Sequence, residues 1–323
     1  MGDPVWFIVV NPASGGGAAR RRWPVLRAEL EGRGVGYRVV MTDAPGHATA
    51  LAREAVQQGA RHLLAVGGDG TLHELVNGLS TADGTIHSDV VASIAPFGSG
   101  NDWARNQQVP RDPARLAAAM AECRTRQVDL GLVSCTGAGG ERRTLVFHNA
   151  AGAGLDAAVV RASPRQGPRV AAYAIGLARA LPGFRAPQFK IAADEQRRTG
   201  QYLAVIAAIG RDCGGGMRIA PAARADDGEF DLVTAANLGL WRALALAPGL
   251  WNGKAAADPA FQMIRCTNAT IAASPDCEAE ADGQPVGRTP LELRILPGAL
   301  CTLDFRTTAA SLLPHQLLQS TGA

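Results

Sequence analysis

The first third of the chain alternates short apolar runs with longer stretches of mixed polarity. The apolar run at residues 5–10 has the pattern of a β-strand that is buried on both faces, and further strands are predicted at residues 37–41, 62–66 and 90–95. Helical periodicity fills the intervals between them, at residues 18–31, 47–57 and 71–79. Strands that alternate with helices of this length predict a parallel sheet with right-handed crossovers.

After about residue 130 the pattern changes to short apolar runs separated by turn residues. Helical candidates interrupt it at residues 170–181 and 238–246, and the strand candidates are residues 144–149, 189–193, 202–209, 230–235, 269–273, 291–296 and 301–305. Such a pattern is typical of an antiparallel sandwich. We therefore predict an α/β N-terminal domain with a parallel sheet (residues 1–135) and a mostly antiparallel β-sandwich C-terminal domain (residues 136–305). The tail, residues 306–323, is expected to dock on the first domain or to fray.

The composition fits a folded protein that does not bind nucleic acid. Hydrophobic residues make up 47% of the chain and charged residues 19%, which supports a packed core. Lysine and arginine total 32 against 29 acidic residues, and a net charge of +3 is too small for a nucleic-acid-binding surface. The six cysteines lack zinc-site spacing, and no apolar run reaches the roughly 20 residues that cross a bilayer. Without the basic flank of a signal peptide, we expect a soluble cytoplasmic protein.

Three glycine-rich corners, at residues 11–17, 67–71 and 98–102, follow the first, third and fourth predicted strands. Glycine allows backbone conformations with positive φ and lets a phosphate approach the main chain closely. The helix after each corner directs its free N–H groups and positive dipole end toward that phosphate. Because ligands of open α/β sheets bind outside the carboxyl ends of the strands, the corners predict one nucleotide site.

Two of these corners also carry acidic residues, Asp69 and Asp102. Neither the Walker lysine nor the Rossmann glycine spacing is present. An acid next to bound phosphates is unfavourable unless a cation lies between them or the acid accepts a proton from a nucleophile. The acids therefore favour phosphoryl transfer with Mg²⁺ over passive nucleotide binding.

These corners resemble the signature motifs of the diacylglycerol kinase catalytic family, which includes sphingosine kinases and soluble bacterial lipid kinases. The motifs are Asn11-Pro12-Ala13-Ser14-Gly15, Gly67-Gly68-Asp69-Gly70-Thr71 and Pro96-Phe97-Gly98-Ser99-Gly100-Asn101-Asp102. The second motif is shared with NAD kinases and phosphofructokinase relatives, whereas the third separates the lipid kinases. Further similar motifs extend the resemblance from about residue 5 to 305. It implies a NAD kinase/phosphofructokinase-like N-terminal domain and an ATP- and Mg²⁺-dependent lipid kinase.

The resemblance also implies which residues contact the nucleotide. They lie in the three corners and at the end of the second strand: Asn11, Ser14, Thr42, Gly67, Gly68, Gly70, Thr71, Ser99 and Asn101. For Thr42, a plain turn or cap residue is the alternative interpretation.

Acidic residues take three further roles by resemblance. Asp69 is implied to be catalytic and to share a hydrogen-bonded network around Mg²⁺ with Asp102 and Asp129, although Asp129 also suits a solvated strand start. Asp227 is implied to bind a structural Mg²⁺, with the backbone carbonyls of Arg224 and Glu229 completing the shell. Because Asp-Asp-Gly is also an ordinary turn sequence, a metal-free hairpin stays open here.

The chain departs from the family pattern at Gln284. Bacterial relatives often have Asp-Gly-Glu where this chain has Asp282-Gly283-Gln284, and that glutamate is regarded as the general base. Glutamine cannot accept the proton of a lipid hydroxyl. Three interpretations stay open. Asp69 or Asp282 acts as the general base, or the nearby Glu280 does so, or the enzyme is slow or inactive. A loose phosphoryl-transfer transition state depends little on a base, so the kinase interpretation stands.

A lipid kinase must reach a headgroup at a membrane surface. We expect the lipid in a cleft between the domains, with transient membrane contact through residues 170–184 or 238–251; helices packed on a sheet are the alternative. A homodimer stays open. Two other functions are considered: a catalytically weak regulator that binds lipid or nucleotide, and a NAD kinase-like enzyme with a soluble substrate.

Overall fold

A parallel sheet with helices on both faces forms the amino-terminal part of the chain. The computed structural model describes residues 4–81, 84–164 and 169–306, so most of the tail discussed above, residues 307–323, lies outside the described residues. The elements in order are β1 (Trp6–Val10), α1 (Ser14–Gly32), β2 (Tyr37–Met41), α2 (His47–Gln57), β3 (His62–Gly67), α3 (Asp69–Gly78), β4 (Val91–Pro96), α4 (Asp102–Asn106) and α5 (Pro113–Glu122).

These strands lie in the order β4-β3-β1-β2 and pair in parallel, as the sequence predicts. The apolar runs of β3 and β4 are buried almost throughout, because helices cover both faces of the sheet. Trp6 of β1 is fully buried and its indole Nε1 donates to the carbonyl of Met120, which fastens α5 to the sheet. The carboxyl ends of β1, β3 and β4 thus meet at one edge, where the glycine corners begin.

Antiparallel strands make up the rest of the fold, which confirms the predicted sandwich-like architecture. The elements are β5 (Thr125–Thr136), β6 (Arg142–Phe147), β7 (Ala150–Gly154), α6 (Leu155–Ala162), α7 (Arg169–Ala180), β8 (Gln188–Ala193), β9 (Gln196–Ala208), β10 (Asp212–Cys213), β11 (Met217–Arg218), β12 (Phe230–Ala236), α8 (Leu240–Asn252), β13 (Phe261–Cys266), β14 (Asn268–Ser274), β15 (Glu278–Ala281) and β16 (Gln284–Leu303). Short 3-10 turns follow α7 at Leu181–Gly183 and α8 at Ala255–Ala257.

The pairing closes six strands into a ring in the order β16-β14-β8-β9-β7-β15 and back to β16. Closure leaves no free strand edge within the ring. Apolar side chains such as Phe147, Phe189 and Phe230 form the core of this domain. The loop between β15 and β16 brings residues 282–284 to the edge where the two domains meet.

One strand joins the two domains. The sequence predicts separate strands at 291–296 and 301–305, but β16 runs continuously for 20 residues, with register shifts between Arg288 and Glu292 and between Leu296 and Leu300. Its last part pairs in parallel with β4, Cys301 opposite Val91, and its earlier part pairs with β14 and β15. None of the helices in the described segments is long and apolar enough to span a bilayer.

Candidate active site

The three glycine-rich corners touch one another at the carboxyl ends of β1, β3 and β4. A Cβ atom added to Gly98 would lie 2.3 Å from the Cα of Gly68, and one added to Gly15 would lie 2.4 Å from the carbonyl oxygen of Phe97. Such distances leave no room for a side chain. Gly15 also has φ of +61°, which L side chains rarely adopt. The glycines are therefore required by the approach of the three backbones.

Polar side chains fix the corners in place. Asn11 Nδ2 donates to Thr71 Oγ1 at 3.1 Å, which joins the first corner to the second. Asn101, at φ +57°, accepts a hydrogen bond from the N–H of Gly98 and donates one to its carbonyl. These bonds join the first two corners and close the third on itself without any ligand.

Helix α3 begins at the contact between the corners and presents its amino terminus there. Gly68 precedes it in an extended conformation, and no side chain caps the first turn. Uncapped N–H groups at the positive end of a ten-residue helix form an anion site. A Cβ on Gly67 would lie 2.4 Å from Thr71 Oγ1, so the strand enters this helix through a turn that only glycine fits.

The remaining nucleotide residues implied by resemblance lie around this helix end. Thr42 is buried, and its N–H donates to the carbonyl of Val10 at 2.9 Å, directly before Asn11. Ser14 Oγ lies 3.5 Å from the position of a Cβ on Gly68. Ser99 is exposed on the third corner. The structure therefore brings together the residues that the resemblance names, while their contact with nucleotide stays a prediction.

Asp69 and Asp102 form an acidic pair beside the same helix end. The carboxylate of Asp69 accepts hydrogen bonds from the N–H groups of Asp102 and Trp103, each at 3.2 Å, and so caps α4. Asp102 accepts from the N–H of Gly215 at 2.7 Å and pairs with Arg105. Burial, reinforced by the charge of Asp69, raises the pKa of Asp102. A cation near the two carboxylates would relieve this repulsion, and Mg²⁺ at this pair stays a prediction.

The carboxylate of Asp129 bonds to two turns of the C-terminal domain. Its two carboxylate oxygens accept hydrogen bonds from the N–H groups of Gly228 at 2.8 Å and Gly298 at 2.7 Å. These bonds hold two turns of the C-terminal domain together. The hydrogen bonds of the described residues thus connect Asp129 to those turns and not to the carboxylate of Asp69.

Asp227 lies in one of these turns, and its carboxylate forms an ion pair with an arginine. Arg265 pairs with Asp227 and also with Glu229, the latter at 2.6 Å. Arg224 pairs with Asp226 at 3.4 Å. Within the described ranges there is no group of three or more histidine, cysteine, aspartate or glutamate side chains that could hold a metal. A metal at Asp227 would have to displace the guanidinium of Arg265, and the Mg²⁺ site that the resemblance implies there, with the backbone carbonyls of Arg224 and Glu229, stays a prediction.

Asp282 is the centre of a buried polar cluster. Its Oδ2 accepts from His73 Nδ1 at 2.8 Å, its Oδ1 accepts from the N–H of Asn149 at 2.9 Å, and the N–H of His148 bonds to both oxygens. Burial alone would raise the pKa of this carboxyl, but His148 and the hydrogen bond from His73 outweigh it and lower the pKa. The side chain has no exposed surface. Asp282 is therefore ionised but out of reach of a substrate.

Gln284 and Glu280 lie on either side of this cluster. Gln284 is exposed, and its Nε2 lies 3.0 Å from the position of a Cβ on Gly70, directly above the first turn of α3. Glu280 is 4% exposed and accepts from the N–H of Gly283 at 2.7 Å. Burial and the neighbouring Asp156 raise its pKa well above the ordinary value. A protonated, buried Glu280 is poorly suited to accept a proton from a substrate.

A cavity of about 1120 Å³ opens between the two domains at Gln284. Helices α2 and α3 form one wall, and β6 with the start of β16 forms the other. His73 and Gln284 line one end, and Arg53 and Arg143 add positive charge along the walls. This cavity has the position and size that a site for a second substrate requires.

The sequence gives little or no signal for several residues of the site. His73 lies one helical turn beyond Gly70, and that spacing on the predicted helix is the only signal for it. His148, whose Nε2 lies 3.2 Å from the carbonyl oxygen of Asp69, reaches the site through a contact between residues 79 positions apart, so no local pattern could have identified it. Arg105 pairs with Asp102, three residues before it on α4, and that spacing is the only signal for it.

Two family descriptions match consecutive parts of the chain. "Diacylglycerol kinase catalytic domain" matches residues 5–133, and "YegS C-terminal NAD kinase beta sandwich-like domain" matches residues 149–304. The first contains the three glycine corners, and the second contains the ring of antiparallel strands.

Relatives and solved structures agree with these matches. A "Probable lipid kinase YegS-like" from Pseudomonas aeruginosa (strain UCBPP-PA14) is 30% identical over 83% of this chain and 84% of its own length. A "Diacylglycerol kinase" from Bacillus subtilis (strain 168) is 26% identical over 88% of this chain and 91% of its own length. The crystal structure of a diacylglycerol kinase from Bacillus anthracis str. Sterne superposes with a TM-score of 0.70 at 20% identity, covering 94% of this chain and 98% of that one. Yeast NADH kinase shares the fold more distantly, with a TM-score of 0.51 at 10% identity over 100% of this chain and 90% of that one.

Proposed function

This chain belongs to the family of lipid kinases that carry the diacylglycerol kinase catalytic domain, and we propose that it transfers the γ-phosphate of ATP to a hydroxyl group of a lipid. The observation that carries the proposal is the contact of the three glycine corners at the uncapped amino terminus of α3. The N–H groups of the first helical turn and the positive end of the helix dipole suit a polyphosphate.

The chain's own residues would first bind and orient the nucleotide. Gly68 and Gly98 allow the second and third corners to pack against each other, and Thr71 and Asn11 fix the first corner relative to the second. We assign Mg²⁺ to the acidic pair Asp69 and Asp102 as the partner of bound ATP. When bound, the ion neutralises charge on the phosphates. Asp69 positions α4 through its two backbone hydrogen bonds and keeps the carboxylates close together.

The acceptor lipid would enter the cavity between the domains and place its hydroxyl beside Gln284. Gln284 lines the cavity and lies over Gly70, so a hydroxyl bound beside Gln284 would lie close to the first turn of α3. Its mixed apolar and basic lining suits a lipid headgroup. Transfer then needs the hydroxyl oxygen in line with the γ-phosphorus, and positioning accounts for most of the rate enhancement of such reactions.

We further propose transient contact with a membrane surface through α7 and α8. The Tyr173 ring of α7 meets the Trp251 ring of α8 edge-on, with centroids 6.2 Å apart, so the two helices are neighbours. Together they expose Val170, Ile175 and Trp241, and Trp241 is 82% exposed. A tryptophan this exposed on an apolar helix is typical of an interfacial anchor. The six unpaired cysteines suit a cytoplasmic location.

The direct test is transfer of radioactive γ-phosphate from ATP into a chloroform-extractable product. The acceptor panel contains diacylglycerol, sphingoid bases, ceramide and phosphatidylglycerol, each presented in mixed micelles, and NAD without lipid. We expect a labelled lipid with at least one acceptor and no labelled NAD. Labelling of NAD alone would instead indicate a kinase with a soluble substrate.

A second candidate function, a binding protein without turnover, is favoured by one observation. Gln284 occupies the position over Gly70 and cannot accept a proton. A Gln284→Glu variant separates the two functions. Activity that rises from zero in this variant would support the binding protein, whereas a wild-type rate well above background that Asp69→Asn abolishes would support the kinase.

A further inference from the structure

A histidine–aspartate pair faces the cavity at the point where the acceptor hydroxyl is expected. We propose that His73 is the general base of this chain and that Asp282 orients it, an inference that rests on the proposed kinase function. Gln284, the residue nearest to Gly70 in this part of the cavity, has no basic group, so the base must come from another side chain if one is used.

The geometry of His73 is that of an oriented base. Its Nδ1 lies 2.8 Å from Asp282 Oδ2, and a carboxylate at that distance holds the ring as the Nδ1–H tautomer. The lone pair of the imidazole then lies on Nε2. Among the described residues, Nε2 of His73 has no hydrogen-bond partner. In Ser-His-Asp enzymes an aspartate orients a histidine in the same way, and the histidine activates the nucleophile.

Position selects His73 over the other titratable groups nearby. His73 lines the cavity together with Gln284, and its side chain keeps 10% of its surface exposed. His148, the second histidine at Asp282, has no exposed side-chain surface. Asp282 is equally inaccessible, and Glu280 is buried against Asp156. Gly70 and His73 lie one turn apart on the same face of α3, and Gln284 covers Gly70. The imidazole of His73 therefore lies one turn further along the helix from Gln284.

The proposed step balances without a further reactant. The acceptor oxygen forms a bond to the γ-phosphorus of ATP, and its proton passes to His73 Nε2. The bond from the γ-phosphorus to the bridging oxygen breaks, and ADP leaves with that electron pair. The imidazolium, held beside the Asp282 carboxylate, then releases its proton to water through the open cavity.

The test removes the base and keeps the hydrogen bond. In His73→Asn the amide NH₂ can still donate to Asp282, but no group accepts a proton. We expect kcat for lipid phosphorylation to fall by about 10- to 100-fold, at or below the usual contribution of a general base because a loose transition state depends little on one, with unchanged binding of an ATP analogue and an unchanged melting temperature. His62→Asn, at the opposite end of the sheet, is the matched control and should keep the wild-type rate per folded molecule.

Two rescue experiments separate catalysis from a structural role. Imidazole added to His73→Ala should restore part of kcat, and substituted imidazoles should do so in the order of their basicity. In the double variant His73→Asn with Gln284→Glu, the new carboxylate lies over Gly70 and should recover much of the lost rate.

Opposite results would overturn the inference. An unchanged kcat in His73→Asn would do so, and so would a reduced kcat that neither rescue restores in a stably folded variant. A wild-type chain that phosphorylates no lipid would instead contradict the proposed function itself, and that result is obtained before any variant is made.

Discussion

Asp69 links two glycine corners through one carboxylate. It starts α3 and at the same time accepts the N–H groups of Asp102 and Trp103 at the start of α4. Its negative charge also faces the place where the phosphates of ATP are proposed to bind. The residue therefore combines a structural hydrogen-bonding role, which asparagine can partly replace, with a charge that asparagine lacks.

We expect Asp69→Asn to reduce kcat for lipid phosphorylation at least about 100-fold, because the electrostatic role depends on the charge. The melting temperature should fall by a few degrees, because the amide oxygen still accepts one of the two backbone hydrogen bonds while the NH₂ group cannot accept the other. The measurement is the initial rate with labelled ATP. Asp112→Asn is a matched control, since Asp112 caps α5 by accepting from the N–H of Ala114 and lies outside the site. A variant of Asp69 with wild-type rate would contradict the role assigned here.

Glu280 makes stability depend on pH in a defined direction. Its folded-state pKa is raised well above the ordinary value by burial and by Asp156, so the folded chain binds more protons than the unfolded chain above about pH 4.3. The free energy of unfolding therefore falls as pH rises from that value toward the raised pKa.

Glu280→Gln removes this loss, since glutamine resembles the protonated acid and cannot ionise. We expect the melting temperature of the variant to exceed that of the wild type by a few degrees more at pH 8 than at pH 5. This expectation uses a conversion of about 2–4 °C per kcal/mol. Glu292→Gln should give a small change of opposite sign, because its exposed ion pair with Arg142 lowers the pKa of Glu292. Parallel wild-type and Glu280→Gln curves would show that Glu280 is not protonated in the folded chain.

At the level of secondary-structure elements, the glycine corners act as one unit. Gly68 and Gly98 come from different strand–helix connections, and their backbones are in direct contact. The sequence predicts each corner and the edge of the sheet where they meet. It does not predict which glycines touch, because the contact depends on how closely β3 and β4 and their loops pack.

Gly98→Ala tests this contact. A Cβ there would lie 2.3 Å from the Cα of Gly68, so the two corners must separate. We expect a loss of about 1–3 kcal/mol in the free energy of unfolding and a marked weakening of ATP binding. Chemical denaturation and equilibrium binding of an ATP analogue are the measurements. Gly32→Ala in α1 has nothing within 4 Å of the new Cβ, and it should be neutral or slightly stabilising. Equal affinities for the analogue in Gly98→Ala and the wild type would show that nucleotide binding does not depend on the contact between the corners.

Helices α7 and α8 form the element-level basis for membrane contact. Trp241→Ala should weaken binding to lipid vesicles by about tenfold, because the proposed burial of its ring in the interface is worth more than 1.4 kcal/mol. Vesicle co-sedimentation measures the effect, and kcat with a dispersed short-chain lipid should stay unchanged. Val25→Ala on the exposed side of α1 should leave vesicle binding as it is. A Trp241 variant that binds vesicles like the wild type would place the membrane contact elsewhere.

For the molecule as a whole, the sequence predicts the two-domain architecture but not how the domains are joined. The parallel strands and long helices have strong periodicity, so they are predicted to within a few residues. By contrast, α6 (Leu155–Ala162) is too short for its periodicity to identify it, and β16 is interrupted by turn-like residues around Pro297 and Gly298. That interruption is a register shift inside a continuous strand, which only its pairing partners reveal.

The sequence also predicts one part of the candidate site and not the other. The corners and their acids follow from local sequence, since all three contain glycines directly after a strand and two of them also carry an aspartate. The cluster of His73, His148 and Asp282 forms only when β15 and β16 return to the first domain, 209 residues after His73. The long-range topology therefore determines the second half of the site, including the placement of Gln284.

The central claim is that the touching corners hold the phosphates of ATP. A crystal structure of this protein with Mg²⁺ and a non-hydrolysable ATP analogue tests it most directly. We predict phosphate oxygens within hydrogen-bond distance of the backbone N–H groups in residues 67–71, with Asn11 and Ser99 at the edges of the nucleotide and Asp69 next to the metal. A well-ordered nucleotide bound elsewhere, with those residues free of contact, would contradict the account.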